Sequence, residues 1–226
     1  GIRDRDVTGV QTCALPISIL KNFASINSGV VLNSGKVQKT ISPEKSILVE
    51  ATLDDEIPSQ FGIYDLNQFL GNVTTLKNPE LTFSNEDVTM KDEDLSLTYR
   101  ACSPSLVITP PEKDLVLKTV DVSFTLTNST LQKLLKLASM NSLPNLSVIG
   151  KNGDLMLQTH ERSNDTSNFA STKIGDYTGK DFSVAFKTEN LKLLPDDYNV
   201  ELQIGAFAKF VNKSGNLKCF IALETK

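Results

Sequence analysis

The sequence predicts an α+β protein of two similar domains, each with antiparallel sheets and two helices. Apolar residues alternate at strand spacing over many short runs, and a few segments switch to the 3.6-residue period of a helix. The order of these elements then repeats on either side of a proline-rich stretch, "CSPSLVITPPEKD" at 102–114. Such a repeat marks an internal duplication.

The first clear element is a helix: Ile19, Leu20, Phe23 and Ile26 fall on one stripe, with Lys21, Asn22 and Ser25 outside it. After Gly29 come "VVL", the turn "NSGK", then "KVQKTI" and "SILVEATL", which read as antiparallel strands joined by turns. In "YDLNQFLGNV", Asp65 suits a helix N-cap, and Leu66, Phe69, Leu70 and Val73 occupy i, i+3, i+4 and i+7. Three more strands follow in "ELTFSNEDVTMKDEDLSLTYRA". Prolines then make 102–114 an extended connector, because proline cannot continue a central strand. The second half resumes with strand "DVSFTLT" and helix "STLQKLLKLASMN", where Ser129 and Gln132 form a capping-box pattern. Strands "LSVIG", "DLMLQTH" and "DFSVAFK", a helix in "TENLKLL" and three further strands complete it. The stretches at 20–27 and 134–141 share Leu, Ala, Ser and Asn in register. The expected domains are 19–108 and 109–226.

Residues 1–18, "GIRDRDVTGVQTCALPIS", belong to neither. They lack the basic start and apolar run of a secretory signal, and Asp4 and Asp6 contradict a mitochondrial presequence. Val7 to Ile17 resembles, codon for codon, the translation of a common sequencing adapter. The stretch is therefore expected to be a non-native tail standing where native residues belong, and to be poorly ordered up to a helix starting near Ile19.

Without it the net charge stays at −4. Only Cys102 and Cys219 remain, too few for a disulfide scaffold and consistent with a reducing compartment. No apolar run approaches the roughly eighteen residues that cross a bilayer, so a soluble chain without a membrane partner is expected. Catalysis has little to work with. The single histidine, His160, sits at a strand end and reads as a surface residue, and one histidine cannot build a metal cluster. The cysteines lack zinc or dithiol spacing. The glycines punctuate turns without forming a phosphate loop, so no cofactor site is visible. The acidic run "NEDVTMKDEDLS" lacks the glycine and closing glutamate of a calcium loop and reads as a solvated hairpin. Neither an enzyme nor a bound metal is expected on these grounds.

Charge is distributed by element. Lys133 and Lys136 lie opposite the apolar stripe of Leu131, Leu134, Leu135 and Ala138; Lys21 lies on the polar side of the first helix; Lys192 lies in the last beside Asn190, and Lys187 immediately precedes that helix. The helix faces are almost free of acids, which gather in "ATLDDE", "NEDVTMKDED" and "PDD". A basic surface on an acidic protein suits a polyanion held by sequence-independent phosphate contacts.

Three stretches, "ILKNFASINSG" (19–29), "IYDLNQFLG" (63–71) and "IGDYTGKDFSVAFKTENLKLLPDDYNVEL" (174–202), resemble the DNA polymerase sliding clamps, or processivity factors, of T-even-type bacteriophages. The likeness is collinear from Ile19 onward and weakest between Leu76 and Asp121. It implies a DNA-clamp fold and a homotrimeric ring around duplex DNA, with helices inside and sheets outside. Lys21, Lys133, Lys136, Lys187 and Lys192 would then face phosphates loosely, since such contacts carry no base information. The resemblance also implies a phage DNA polymerase docked near the domain connector, on Leu106, Val107, Ile108, Pro110 and Pro111. It further implies loading by an ATP-driven clamp loader, a role in late transcription, and action in the cytoplasm of the infected bacterium. The competing reading is a non-enzymatic phage structural protein of duplicated β-rich domains, which would not need acid-free helix faces.

Overall fold

The computed structural model describes residues 10–11, 16–77, 79–84 and 86–224. The chain divides into two compact units between Glu112 and Lys113. The N-terminal unit holds β1 (Val10–Gln11), α1 (Ile17–Ile26), β2 (Val30–Leu32), β3 (Gly35–Ile41), β4 (Ile47–Ile57), β5 (Phe61–Ile63), α2 (Leu66–Thr75), β6 (Glu80–Phe83), β7 (Asp87–Lys91) and β8 (Ser96–Arg100). The C-terminal unit holds β9 (Val122–Leu126), α3 (Asn128–Met140), β10 (Asn145–Lys151), β11 (Asp154–His160), β12 (Ala170–Asp176), β13 (Phe182–Lys187), β14 (Tyr198–Leu202), β15 (Phe207–Asn212) and β16 (Leu217–Ala222). A single 3₁₀ turn at Thr188–Asn190 lies between β13 and β14.

The sequence repeat is a repeat of topology. Each unit runs strand, helix, four strands, helical segment, three strands. In the first, β1, β6, β7 and β8 lie side by side in that order; in the second, β9, β14, β15 and β16 do the same. The inner strands correspond as well, since β2 pairs β5 as β10 pairs β13, and the hairpin β3–β4 matches β11–β12.

The elements form where the side chains dictate. In α2 the apolar residues Leu66, Phe69, Leu70 and Val73 are all buried, and the Asp65 carboxylate accepts the Gln68 N–H at 2.9 Å, a cap of about 1 kcal/mol. Helix α1 buries Leu20, Phe23 and Ile26 and packs on α2. Helix α3 begins two residues earlier than the capping-box pattern at Ser129 implied. Its cap is Thr127, whose hydroxyl accepts the Thr130 N–H at 3.2 Å. Phe61 and Phe83 meet edge to face at 5.9 Å in the first core, and Phe210 meets Phe186 and Tyr198 at 5.8 and 6.4 Å in the second. Cys219 is buried in this second core; Cys102 is partly exposed, and both are free thiols.

Two expectations change. The second unit has one α-helix where two were expected. In "TENLKLL" Leu191 and Leu193 are buried and Lys192 between them is exposed, so the chain leaves the 3₁₀ turn with strand-like periodicity and reaches Pro195 without a helical stripe. The adapter-like opening is also less separate than expected. Val10 and Gln11 pair with Thr82 and Leu81 at the place β9 occupies on β14, and α1 begins at Ile17, ahead of the expected boundary at Ile19. Residues 1–9 and 12–15 of the opening, Cys13 and the Arg-Asp pairs included, lie outside the described residues.

Candidate nucleic-acid interface

The three α-helices contain Lys21, Lys133 and Lys136 and no aspartate or glutamate. All three lysines are exposed, and none makes an ion pair among the described residues. The cause is the amphipathic register: Leu131, Leu134 and Ala138 anchor α3, which leaves positions 133 and 136 on its outer side. The polar side of α2, with Asn67, Gln68, Thr74 and Thr75, is exposed and uncharged. The acids stand elsewhere: Asp54, Asp55 and Glu56 are exposed on β4, and Asp92, Glu93 and Asp94 form the turn between β7 and β8. There Asp92 accepts the N–H groups of Leu95, Asp94 and Lys77, which hold its carboxyl below the usual range.

Lys187 and Lys192 differ from the helical lysines. Lys187 ends β13 and lies 3.7 Å from the Glu189 carboxylate, so its charge is partly answered within the chain. Lys192 is exposed on the extended segment beyond the 3₁₀ turn. Neither sits on a helix face.

The connector residues are tied to the N-terminal unit by its backbone. Cys102 N–H donates to the Gly62 carbonyl at 2.9 Å, so close that a Cβ on Gly62 would lie 2.4 Å from the Cys102 oxygen. Asn27, buried at the end of α1, donates to the carbonyls of Ile41 and Ile108, both at 3.0 Å, and accepts the Gly29 N–H. Of the five residues expected to dock a partner, Leu106 and Ile108 present exposed side chains (64% and 46%), while Val107 and Pro110 are half-buried and Pro111 is exposed. Leu106 closes a 3₁₀ turn begun by Pro104.

Sequence reasoning missed two further features. The outer edges of β8 and β12 carry no strand partner among the described residues. Four of the five residues of β8 are exposed, Leu97 among them, and Leu95 just before it is 63% exposed; Phe169, just before β12, is 66% exposed. Alternation in "LSLTY" could have flagged β8 as half-exposed; nothing local in "ASTKIGD" marks an edge. The second is a polar cleft of about 570 Å³ in the C-terminal unit that gathers Asn145, Arg162, Lys187, Glu189 and Glu224. Paired across β10 and β11 with Asn145 of this cleft, His160 is half-buried, its Nε2 2.7 Å from the Ser147 hydroxyl, rather than a plain surface residue. Burial, then the nearby Arg162, hold its pKa below the ordinary value, against the opposing pull of Glu224.

No helix among the described residues is long and apolar enough to cross a membrane. The chain matches the family model of the DNA polymerase processivity factor over residues 14–109, starting inside the adapter-like opening. It is 28% identical to the sliding clamp of Vibrio phage KVP40 over 92% of this chain and 96% of that one. It is 29% identical to the sliding clamp of Enterobacteria phage T4 over 92% and 93%. Among solved structures it resembles the proliferating cellular nuclear antigen of Entamoeba histolytica, with a TM-score of 0.67 at 14% identity, covering 94% of this chain and 96% of that one. That likeness fixes the fold as the clamp fold.

Proposed function

We infer that the chain belongs to the phage sliding clamps of the DNA polymerase processivity factor family, and that it encircles duplex DNA to tether the replicative polymerase. The observation that carries the mechanism is the segregation of charge: a chain of net charge −4 whose α-helices hold lysines and no acids. Phosphates are attracted to such faces, and nothing on them reads a base edge, so the ring is held on DNA yet translates along it. Lys21, Lys133 and Lys136 are the principal phosphate-facing residues. Lys192 adds to them, and Lys187, beside Glu189, adds least. This work needs no bond-making chemistry, which agrees with a sequence that offers no catalytic constellation.

The ring is a homotrimer closed by heterologous contacts, each copy presenting two different surfaces. The edges of β8 and β12 suit this: an unpaired strand edge is a template for another strand, and each carries exposed apolar residues beside it. A clamp loader opens the ring onto DNA in the cytoplasm of the infected host. The polymerase docks on the connector through Leu106 and Ile108, with Val107, Pro110 and Pro111 shaping the surface.

Primer extension on a long single-stranded circle, under single-encounter conditions with cognate polymerase and loader, tests this. Products several-fold longer with the chain than without it are expected, and the gain should fall with Leu106→Ala and Ile108→Ala together. Product lengths that do not change on adding the chain would overturn the reading.

A further inference from the structure

The polar cleft of the C-terminal unit is built around a carboxylate. Its floor is Asn145, only 6% exposed, whose side-chain oxygen accepts the Arg162 N–H at 3.1 Å and whose amide donates to Glu224. The Arg162 guanidinium stands 3.6 Å from the same Glu224 oxygen. The Glu224 side chain is therefore gripped by a buried amide and a cation, while its own backbone is held separately by the Glu224 N–H bond to the Ala185 carbonyl at 2.8 Å. The side chain can swing away without releasing the backbone. Lys187 and Glu189 complete the charged lining, so withdrawing Glu224 leaves two cations facing one carboxylate in a space of about 570 Å³, within the size range of small-ligand sites.

We propose that this cleft is a carboxylate-binding site for an acidic peptide of a partner protein, and that Glu224 is an internal competitor that occupies it until the partner arrives. Arg162 and Asn145 recognise the incoming carboxylate by a charge-assisted contact and an amide hydrogen bond, and Lys187 draws it in. Displaced Glu224 turns to solvent, so the exchange costs the chain one buried contact and regains an equivalent one. The net affinity is accordingly modest, and removal of Glu224 raises it. The site does not depend on the ring, and its test uses the chain alone without DNA or polymerase, so its failure would leave the clamp reading untouched.

The single histidine is a built-in reporter, because its ring titration responds to both Arg162 and Glu224. The probe is N-acetyl-Glu-Glu-amide, with the Gln-Gln analogue at matched ionic strength as control, followed by NMR at the His160 ring and the Asn145 side-chain amide. The expected result is that Glu224→Gln binds the acidic probe at least fivefold more tightly than the unaltered chain, with no binding of the Gln-Gln analogue. Adding Arg162→Ala should weaken the probe at least tenfold. His160 should titrate lower in Glu224→Gln and move back up with probe bound. Glu224→Ala must give the same gain, which guards against an effect of the introduced amide. Equal affinity in the unaltered and Glu224 variants, or binding that leaves the Asn145 and His160 signals in place, would overturn the proposal.

Discussion

Reversing the charge of α3 with Lys133→Glu and Lys136→Glu perturbs the proposed DNA contact without touching a packed residue, because both side chains are exposed and the helix is anchored by Leu131, Leu134 and Ala138. In a trimer the pair accounts for up to about six phosphate contacts, each contributing about 0.9 to the slope of log affinity against log salt for duplex DNA. The double variant should therefore flatten the slope by up to about 5, equivalent to roughly a 10³-fold smaller loss of affinity between 50 and 200 mM salt. Contacts made across water give less, so this is the ceiling. The assay is residence on a nicked circular duplex over a salt series after loading, with Lys133→Gln and Lys136→Gln as the neutral control, expected to fall between. Far-ultraviolet circular dichroism should match the unaltered chain. An unchanged salt slope in a folded, loaded variant would refute the assignment of α3 to the DNA.

Other consequences are as specific. Phe69, fully buried on α2 and edge to face with Tyr99 at 5.2 Å, should cost about 3–5 kcal/mol when changed to alanine, read by urea unfolding. Asn27→Ala removes the donor to Ile41 and Ile108 and should cost about 1–3 kcal/mol, with faster amide exchange around Ile108. His160 has a folded pKa below its ordinary value of about 6.5, so its neutral form is the one the fold favours. Its contribution is unchanged above about pH 6.5 and stability declines as pH falls below that and through the folded pKa; His160→Gln should flatten the decline in thermal melts from pH 7 to 5. Burial pushes the Cys219 thiol up to about 12, so alkylation at pH 8 should spare it until the chain unfolds, whereas Cys102 reacts sooner.

Much of this architecture is legible in the sequence because it rests on local periodicity. The stripes in α1, α2 and α3, the Asp65 cap and the turn "NSGK" each express a preference that the packed units keep. The duplication is legible too, since it preserves the order of elements. What fails is decided by tertiary contact. "TENLKLL" is ambiguous, its leucines fitting either period, and burial of Leu191 and Leu193 selects the extended one. The cap at Thr127 displaces an equally plausible pattern at Ser129. The candidate site divides the same way. Lysines on helices are placed by helix register, whereas Lys187 is placed by a strand end and answered by Glu189. The grouping of Asn145, Arg162 and Glu224 joins residues up to 79 positions apart and leaves no local trace. Edges such as those of β8 and β12 exist only once the order of strands in a sheet is known.

The central claim is topological: the chain holds DNA by surrounding it. The direct test loads the chain onto a nicked circular duplex, isolates the complex at a salt concentration that removes ordinary phosphate binding, and then cuts the DNA once with a restriction enzyme. Retention on the circle and prompt loss from the linear product, prevented by blocking both ends, is the predicted result. Equal retention on circular and open linear DNA, or equal loss from both, would contradict it.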